Sequence, residues 1–432
     1  MTKRIFNGAI TLMIAAAFAG CNSKNDETPN DSDIPLTNEG NERKVINLSQ
    51  PEKDLVKGSN EFAFELFRKV SSDKSEIVSP ISVTYALGML NNGAAGETQE
   101  QINKVLGFGD KGADGINAFC KKMLDEAPKL DKLTKVSIAN TIFLNNGYQL
   151  NANFVSTAKN YYNATPETCD FNDGKTLDVI NKWASDNTNN MIEKVLEIGE
   201  FSPSAVSYLL NAIYFKGAWS EEYKFDKNET TEETFHGYNG NLTVPMMHQN
   251  KSAIYGETDD CQILKLSFGN DAYAIDFFLP NEGKTINDVL ETLTYDKWRG
   301  FYTFDIQKYK KTGEAQTMYT NEVDIKLPRF ETSSNIDLKD IMSALGMPNA
   351  FKADKAEFPN FCNVPTCISM MKQGARIKLD EKGAEAAAVT TTGMATTSAH
   401  PYATFHADRP FFYIIYEQST NAIFFIGQYT GK

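Results

Sequence analysis

The segment from Asp380 to Ser398 contains the clearest pattern of residue types in this chain of 432 residues. It begins with charged residues and a glycine, continues through small side chains that include Ala386, Ala387 and Ala388, and ends in a run rich in threonine. Mobile loops usually favour Gly, Pro, Asn and Ser, and consecutive β-branched residues disfavour a helix. Small residues followed by β-formers suit a segment that is exposed in one state and a β-strand in another. The pattern therefore predicts a segment that changes conformation.

Alternate residues of this segment differ in type, which predicts one buried and one exposed face, because successive side chains of a strand point to opposite sides. The small or β-branched residues of one face are Ala384, Ala386, Ala388, Thr390 and Thr392. Glu385 belongs to the opposite face, where water can solvate it, and Gly383 supplies hinge freedom that a Cβ would restrict. A charge at Ala384 would have to be buried at a large free-energy cost. An alanine-rich surface loop without a function does not explain this alternation.

Other kinds of chemistry find little support in the sequence. The chain has no Gly-x-Ser-x-Gly elbow and no complete phosphate-binding loop, and its four histidines form no His-Glu-x-x-His motif. The sequence therefore predicts neither an enzyme nor a metal site or cofactor. The formal net charge of −13 argues against nucleic acid as a partner, since phosphate binding needs a basic face. The chain also has no stripe of basic residues, so we expect no polyanionic activator.

The first twenty residues predict a targeting signal. Lys3 and Arg4 precede an apolar run that is short for a membrane span and ends in small residues directly before Cys21. A cysteine at that place resembles the bacterial lipoprotein box, in which it becomes the lipidated mature N-terminus. A plain secretory signal is the alternative.

Residues 21–52 predict a lipidated N-terminus followed by a flexible tether. The stretch is polar, acidic and poor in aromatic residues, so it cannot bury enough apolar area to offset its ordering entropy. Residues 53–432 then form one folded domain, because no second linker or internal repeat follows. The domain is expected in the bacterial cell envelope, either anchored to a membrane through Cys21 or secreted.

Helix signals dominate the first half of this domain. Ser59 is a candidate N-cap for an apolar helical repeat that follows it. Ser79 followed by Pro80 predicts a second helix start, and Thr98 with Gln101 predicts a capping box.

Strand patterns dominate the second half. The first pattern already appears at residues 136–144, and the others lie at 272–279, 323–330, 368–379, 411–416 and 422–428. Helices first and strands later, without regular alternation, favour the α+β class over a parallel α/β fold.

The cysteines after residue 21 are too few and too widely spaced for a disulfide framework. They are Cys120, Cys169, Cys261, Cys362 and Cys367. Cys362 and Cys367 are close enough in sequence to pair, although buried thiols are the simpler expectation.

Seven short motifs in order give the chain a close resemblance to the serpin family from about residue 60 to residue 431. They are Asn60-Glu61-Phe62-Ala63-Phe64-Glu65-Leu66-Phe67, Val78-Ser79-Pro80-Ile81-Ser82-Val83, Asn211-Ala212-Ile213-Tyr214-Phe215-Lys216-Gly217-Ala218-Trp219, Val244-Pro245-Met246-Met247, Leu327-Pro328-Arg329-Phe330, Leu345-Gly346-Met347 and Arg409-Pro410-Phe411. Each is weak alone, but the ordered set together with the alternating segment is highly specific.

The resemblance implies an α+β serpin fold of about nine helices and three β-sheets with an exposed reactive-centre loop. A target protease cleaves the loop, and the loop then inserts into the largest sheet as a new strand while still esterified to the protease. The residues that match the hinge of this loop are Glu381, Gly383, Ala384, Glu385, Ala386, Ala387 and Ala388. The implied function is inhibition of serine or cysteine endopeptidases by a single-use suicide substrate, with the chain acting as a monomer.

The family's usual spacing from Glu381 places the scissile bond between Thr397 and Ser398. Counting back from Pro410 gives a spread from Thr396 to Ala399, because that part of the loop varies in length, and Met394 is a further alternative. The reactive bond is therefore expected between Met394 and Ala399.

The loop also indicates a class of target. Residues 383–408 contain no Lys or Arg, and a trypsin-like protease needs a basic residue in its specificity pocket. Thr, Ala and Ser suit elastase-like or subtilisin-like proteases, so these are the expected partners.

Serpins have characteristic residues at the place where their main sheet opens, and this chain matches them with one exception. The matching residues are Ser79, Ser82, Asn211 and Trp219. Gln373 stands where the family commonly has a histidine, and because Gln both donates and accepts hydrogen bonds we expect a working opening with different tuning. A non-inhibitory serpin that binds or stores a ligand is the alternative function; bulky or charged residues at Ala384, Ala386 or Ala388 would have favoured it.

Overall fold

The computed structural model describes residues 40–109, 111–303, 310–311, 316–384 and 403–431. The α-helices with described bounds are α1 Gln50–Val70, α2 Pro80–Asn91, α3 Gly96–Val105, α4 Gly112–Glu126, α5 Ala152–Tyr162, α6 Lys175–Asn187, α7 Ile286–Thr292, α8 Tyr295–Gly300 and α9 Lys339–Leu345. Short 3₁₀ turns lie at Ala127–Lys129, Glu221–Tyr223, Lys227–Glu229 and Pro348–Phe351. Most of these helices precede most of the strands, and the predicted α+β class is confirmed.

The strands are short and medium-length segments, apart from one of 18 residues. They are β1 Ile77–Val78, β2 Thr134–Asn145, β3 Glu167–Cys169, β4 Ser207–Ala218, β5 Thr231–Gly237, β6 Gly240–Glu257, β7 Cys261–Phe268, β8 Tyr273–Pro280, β9 Tyr319–Pro328, β10 Phe330–Asp337, β11 Met370–Asp380, β12 Gly383–Ala384, β13 Ala403–His406, β14 Phe411–Glu417 and β15 Ile423–Tyr429. All six strand patterns expected from sequence lie on strands, whereas β4 to β7 and most of β10 were not anticipated.

Two hydrogen-bonded sheets connect these strands within the described ranges. Sheet A has the order β10-β11-β12-β4-β2-β3, and sheet B has the order β1-β15-β14-β8-β7-β6-β9-β13 with β5 paired to β6. The expectation of three sheets differs from this count because the long strand β6 pairs with β5 through its first half and with β7 through its last residues. One strand therefore joins two groups of strands into a single network.

Helix α2 lies at the centre of the molecule, and all of its residues are buried. It contacts β15 of sheet B as well as β4 and β2 of sheet A, so it is covered on every side. A helix that is apolar all round is expected in such a position. Ser79 precedes Pro80 at its first turn, as the sequence predicted, and the helix ends at Asn91. This placement brings the start of α2 beneath sheet A.

Two helix starts differ from the sequence predictions. Helix α1 begins at Gln50 rather than after Ser59, whose hydroxyl is buried and lies 3.0 Å from the Thr84 hydroxyl. Helix α3 begins at Gly96, so Thr98 is inside the helix instead of capping it. The Glu357 carboxylate caps α3 instead, accepting the Glu97 N–H at 2.7 Å. A cap supplied from a distant part of the chain leaves no local sequence pattern.

The folded domain begins earlier than residue 53. Ile46 is only 3% exposed and its N–H donates to the Ser419 hydroxyl, 2.9 Å away. Asn41 is also buried, and its Nδ2 donates to Asp131 Oδ1 at 2.6 Å. Residues 40–52 thus belong to the domain, because one apolar anchor and specific polar pairs order a stretch whose average composition is polar. Among the described residues no helix is both long and apolar enough to cross a membrane.

Candidate functional site

The middle of sheet A contains a boundary between two strands that are paired directly over only part of their length. Residues Met370 to Arg376 of β11 pair in parallel with Tyr208 to Tyr214 of β4. We call this paired stretch the seam. A parallel pairing needs a distant connection rather than a hairpin, so the two strands can separate without unfolding a turn between them.

Above the seam the two strands are already apart, and β12 lies between them. Gly383 and Ala384 pair in antiparallel fashion with Asp380 and Leu379 of β11. The same two residues pair on their other side with β4. The expectation that the whole loop is exposed therefore needs correction, since its first residues are already in the sheet.

The backbone at Gly383 fits only glycine. Its φ angle is +130°, and a Cβ would lie 2.2 Å from the Gly217 carbonyl oxygen and 2.6 Å from the Trp219 nitrogen. Ala384 has 0% exposure and pairs with Leu379, which is also fully buried. Paired residues of neighbouring strands lie on the same face, so Ala384 faces the core as its place in the alternation predicted.

Backbone hydrogen bonds anchor the turn that precedes β12. The Trp219 indole Nε1 donates to the Asp380 carbonyl at 3.0 Å, and its backbone N–H donates to the Lys382 carbonyl at 2.7 Å. The Phe225 N–H donates to the Glu381 carbonyl at 3.0 Å. Trp219 is fully buried and stacks on Phe268 at an interplanar angle of 3°. Trp219 thus fixes the point from which the loop enters the sheet.

Glu381 carries the ionic contact of this turn. Its side chain is 7% exposed and pairs with the Arg329 guanidinium, whose Nε lies 3.2 Å from Glu381 Oε2. The Thr230 hydroxyl also donates to Glu381 Oε1 at 2.7 Å. Burial alone would raise the pKa of Glu381, but the hydrogen bonds from Arg329 and Thr230 outweigh it, and the pKa lies below its ordinary value. The hinge glutamate is therefore held as a carboxylate.

A polar cluster lies beneath the seam, on the side of sheet A that faces α2. We call it the shutter cluster; its members are Ser79, Ser82, Asn140, Asn211 and Gln373, and all are buried. Gln373 Oε1 accepts the Ser79 N–H at 2.9 Å, while its Nε2 donates to the Ser79 carbonyl and to Asn211 Oδ1. Asn211 Nδ2 in turn donates to the Ser82 hydroxyl and carbonyl. Gln373 and Asn211 are register partners, so their 2.5 Å contact crosses the seam.

Gln373 thus makes the contacts of a bridging residue in the place of the expected histidine. Asn140 on β2 was not anticipated as part of the site, although its sequence pattern placed it on the buried face of a strand. It accepts from Asn211 Nδ2 at 2.6 Å, and its own Nδ2 has no hydrogen-bond partner, like the Ser79 hydroxyl.

A model of the serpin family, described as serine protease inhibitors, matches residues 57–431. The chain belongs to the serpin family. Proteins of this family are generally protease inhibitors rather than catalytic enzymes, although some are non-inhibitory.

Similar serpins come from distant organisms. Serpin B6 of Macaca fascicularis is 30% identical over 386 residues, covering 87% of this chain and 99% of that protein. An uncharacterised serpin-like protein of Thermococcus kodakarensis is 28% identical and covers 94% of this chain and 92% of its own length. Human neuroserpin is 26% identical, covering 84% of this chain and 88% of its own.

Solved structures confirm the serpin fold. The thermophilic serpin tengpin in its native state matches with a TM-score of 0.79 and 27% identity, covering 91% of this chain and 97% of that chain. Thyroxine-binding globulin in complex with thyroxine matches with a TM-score of 0.74 and 25% identity, covering 87% of this chain and 98% of its own.

Part of the predicted site of this serpin lies outside the described residues. This applies to Glu385, Ala386, Ala387 and Ala388 of the hinge, to the bond between Thr397 and Ser398, and to Cys21. The described part of the chain contains no group of three or more His, Cys, Asp or Glu side chains that could hold a metal ion. Cys120, Cys169, Cys261, Cys362 and Cys367 are free thiols, and burial raises the pKa of Cys120 to about 12.

Proposed function

We propose that this serpin inhibits endopeptidases as a single-use suicide substrate, by inserting its cleaved reactive loop into sheet A. The observation that carries the proposal is the state of sheet A, where Gly383 and Ala384 already form β12 above a closed seam. Insertion then only has to continue a strand that has begun. The uncleaved form is held by the kinetic barrier of opening the seam.

The existing strand sets the register of any longer one. In an antiparallel strand, each residue added to β12 moves one residue back along both of its neighbours. Nine residues beyond Ala384 is Gly393, and nine residues back from the partners of Ala384 are Met370 on β11 and Tyr208 on β4. Met370 and Tyr208 are already partners of each other at the foot of the seam. Both neighbours therefore accept the same strand, which would replace the seam over its full length.

This register assigns partners to the inward-facing residues. Ala386 would lie between Ile377 and Phe215, Ala388 between Ala375 and Ile213, Thr390 between Gln373 and Asn211, and Thr392 between Met371 and Leu209. Ala386 would thus meet the large side chains of Ile377 and Phe215, and Ala388 would meet that of Ile213. Thr390 meets the shutter cluster, where its hydroxyl can donate and accept in place of the hydrogen bond that insertion breaks.

The first outward-facing residue of the inserted strand would lie beside opposite charges. Glu385 would lie between Lys378 of β11 and Lys216 of β4, each directly opposite it on a neighbouring strand. Opposite charges on facing strand positions stabilise a sheet modestly. The inserted strand would carry this charge pair on the outer face of sheet A.

The chemical step is acyl transfer to the protease. The protease's serine or cysteine attacks the carbonyl carbon of Thr397, the peptide bond to Ser398 breaks, and Ser398 becomes a new amino terminus. The ester or thioester to Thr397 remains, and insertion must outrun its hydrolysis. With Gly393 at the foot of the seam, Thr397 would lie just beyond the inserted strand and carry the protease to the far end of sheet A.

The target class follows from the side chains around this bond. Small uncharged residues between Met394 and Ala399 suit elastase-like or subtilisin-like proteases, and the lack of Lys and Arg in residues 383–408 disfavours trypsin-like ones. The partner is therefore a protease with a small specificity pocket. The inhibitor would act as a monomer, since one copy supplies both the loop and sheet A.

We also propose that Cys21 anchors the chain to the bacterial cell envelope through a lipid. The apolar run that ends at Cys21 and the polar stretch before residue 40 support it. Lipid labelling of the expressed chain tests it: label is expected in the wild type and absent from Cys21→Ala. Equal labelling of the two chains would contradict the anchor, and an unlabelled, fully released wild type would indicate plain secretion.

A gel-based trapping assay tests the inhibitory function. The full chain is incubated with an elastase-like protease and resolved under denaturing conditions, with the same protease blocked at its active-site serine as a control. The expected result is a band at the summed mass of inhibitor fragment and protease, absent from the control. Cleaved serpin together with fully active protease would contradict the proposal and would favour a non-inhibitory serpin.

A further inference from the structure

The chain between α6 and β4 crosses the outer face of the seam twice. We call residues 188–206 the crossing linker. It starts from α6, where the Asn187 carbonyl accepts the Ser137 hydroxyl of β2 at 3.2 Å, and it ends by leading into β4 at Ser207. Between these ends it contacts β11 and β10, on the other side of the seam. An inserting strand would have to pass beneath it.

The linker is held to the β2 and β4 side by apolar packing. A separate hydrophobic cluster joins α6 and the linker to these strands; its buried members are Phe143, Phe171, Ile180, Ala184, Ile192, Val195, Leu196, Tyr208 and Leu210. Asn181 of α6 also binds the linker backbone, accepting the N–H groups of Val195 and Leu196 at 3.0 Å. The helix, the linker and this half of the sheet therefore form one packed unit.

On the β11 and β10 side, Met370 packs against the same cluster and Ile192 lies over Gly374, and three polar contacts are added. Lys372 Nζ lies 2.6 Å from Glu200 Oε1, with the lysine side chain 4% and the glutamate side chain 33% exposed. Arg376 Nη1 donates to the Met191 carbonyl at 3.2 Å. Asn335 Nδ2 on β10 donates to the Val195 carbonyl at 3.2 Å. We call these three contacts the clasps.

Alternation along β11 explains why the clasps and the shutter cluster do not compete. Lys372, Gly374 and Arg376 are two residues apart and point to the outer face, whereas Gln373 between them points to the shutter cluster. Gly374 lets the linker approach closely, since a Cβ there would lie 2.9 Å from Ile192 Cδ1. The seam is thus held from below by Gln373 and from above by the linker.

We propose that the Lys372–Glu200 and Arg376–Met191 clasps are positioning contacts that set the rate of loop insertion. Most of the apolar packing of the linker is on β2 and β4, so the linker stays with these strands when the seam opens, and its contacts with β11, which include the polar clasps, are the ones that break. Lys372 and Arg376 lie beside the positions that Thr391 and Ala387 would take in the register described above. This inference rests on the proposed insertion of the loop.

The test measures insertion without a protease. A fluorescently labelled peptide with the sequence of residues 385–397 is mixed with the full chain, and its rate of incorporation is followed by anisotropy. Lys372→Met and Arg376→Met are each expected to incorporate the peptide about three- to tenfold faster than the wild type, because each removes one charged contact that must break at the barrier. Glu200→Gln tests the first clasp from its more exposed side if Lys372→Met does not fold.

Two control variants remove ion pairs that do not cross the seam. Lys182→Met removes the Lys182–Asp186 pair within α6, and Glu331→Gln removes the other partner of Arg376 on β10. Both are expected to incorporate the peptide at the wild-type rate. Clasp variants at the wild-type rate, control variants that accelerate equally, or no incorporation by any chain would each overturn the inference. Faster peptide incorporation by the clasp variants, with no trapped protease in the gel assay, would support the role of the clasps and contradict the inhibitory function. Trapped protease with unchanged incorporation rates would support the inhibitory function and contradict the role of the clasps.

Discussion

The upper and lower parts of the gap between β11 and β4 differ in what fills them. At the top, Gly383 and Ala384 lie between the strands and complete the hydrogen bonding of both. Below, the strands pair with each other from Met370 to Arg376 on β11. In sheet A, a short strand between β11 and β4 therefore lies directly above the stretch where β11 and β4 pair with each other, and insertion would replace that direct pairing.

The residues of the two parts account for this difference. The top is lined by Gly217 and anchored by Trp219, so a strand without bulky side chains can enter at little cost. The lower part is closed from beneath by the Gln373–Asn211 hydrogen bond and from above by the crossing linker. If the loop inserts as proposed, the start of insertion is already made, and the barrier would lie in the contacts of the lower part.

The largest effect is expected from Ala384→Arg, which places a charge in the upper part. Ala384 is fully buried between Leu379 and Gly217, so an arginine there must either be buried or keep the strand out of the sheet. Cleavage should continue while the band of trapped protease disappears. The gel assay measures this directly.

Thr404→Arg is the matched control for this substitution. Thr404 is exposed on β13, at the other end of the loop, and does not enter sheet A. It should trap protease like the wild type. Undiminished trapping by Ala384→Arg would show that the inward face of the strand does not govern insertion.

A smaller effect is expected from Gln373→Leu, which acts on the lower part. It leaves the Ser79 N–H and Asn211 Oδ1 without their partner in a buried place, and we expect a loss of about 2–4 kcal/mol in the free energy of unfolding of the uncleaved chain. Gln373→His should lose less, because an imidazole can still donate and accept. Denaturant unfolding measures both, and a leucine variant as stable as the wild type would remove the shutter cluster from the account.

The smallest effect is expected from Glu381→Gln, at the turn above the inserted residues. The Arg329 side chain is 34% exposed and can regain water, so we expect a loss of only about 1–2 kcal/mol. Because the folded-state pKa of Glu381 lies below its ordinary value of 4.5, its stabilising contribution is fully present above pH 4.5 and disappears as the pH falls through the folded-state value.

The two chains should therefore differ most above pH 4.5 and converge in more acidic solution. Thermal unfolding measured across this range checks the prediction. A difference in stability that persists unchanged at low pH would mean that the ion pair with Arg329 is not its source.

Much of the fold could be predicted from the sequence, because the α+β class and six of the strands, namely β2, β8, β9, β11, β14 and β15, follow from local patterns. The burial of Ala384 followed from the alternation of the hinge, whereas the positive φ of Gly383 is seen only in the structure. The start of α3 could not be predicted, since the carboxylate of Glu357 caps it from a distant part of the chain. The same holds for residues 40–52, which specific contacts order against their composition.

Apart from Asn140, the residues of the shutter cluster were predictable, but the state of sheet A around them was not. Ser79, Ser82, Asn211 and Gln373 were expected together, and they form one hydrogen-bonded cluster. Sequence patterns give no register between distant strands, so neither β12 between β11 and β4 nor the clasps of the crossing linker could be anticipated. Both depend on contacts between residues 140 or more positions apart.

The crystal structure of the loop-cleaved chain tests the central claim most directly. We predict a complete strand between β11 and β4, with Thr390 between Gln373 and Asn211 and with Gly393 beside Met370. The crossing linker should remain packed on β4 while its contacts with Lys372 and Arg376 are broken or rebuilt. A cleaved chain in which Met370 to Arg376 still pair with Tyr208 to Tyr214 would contradict the account.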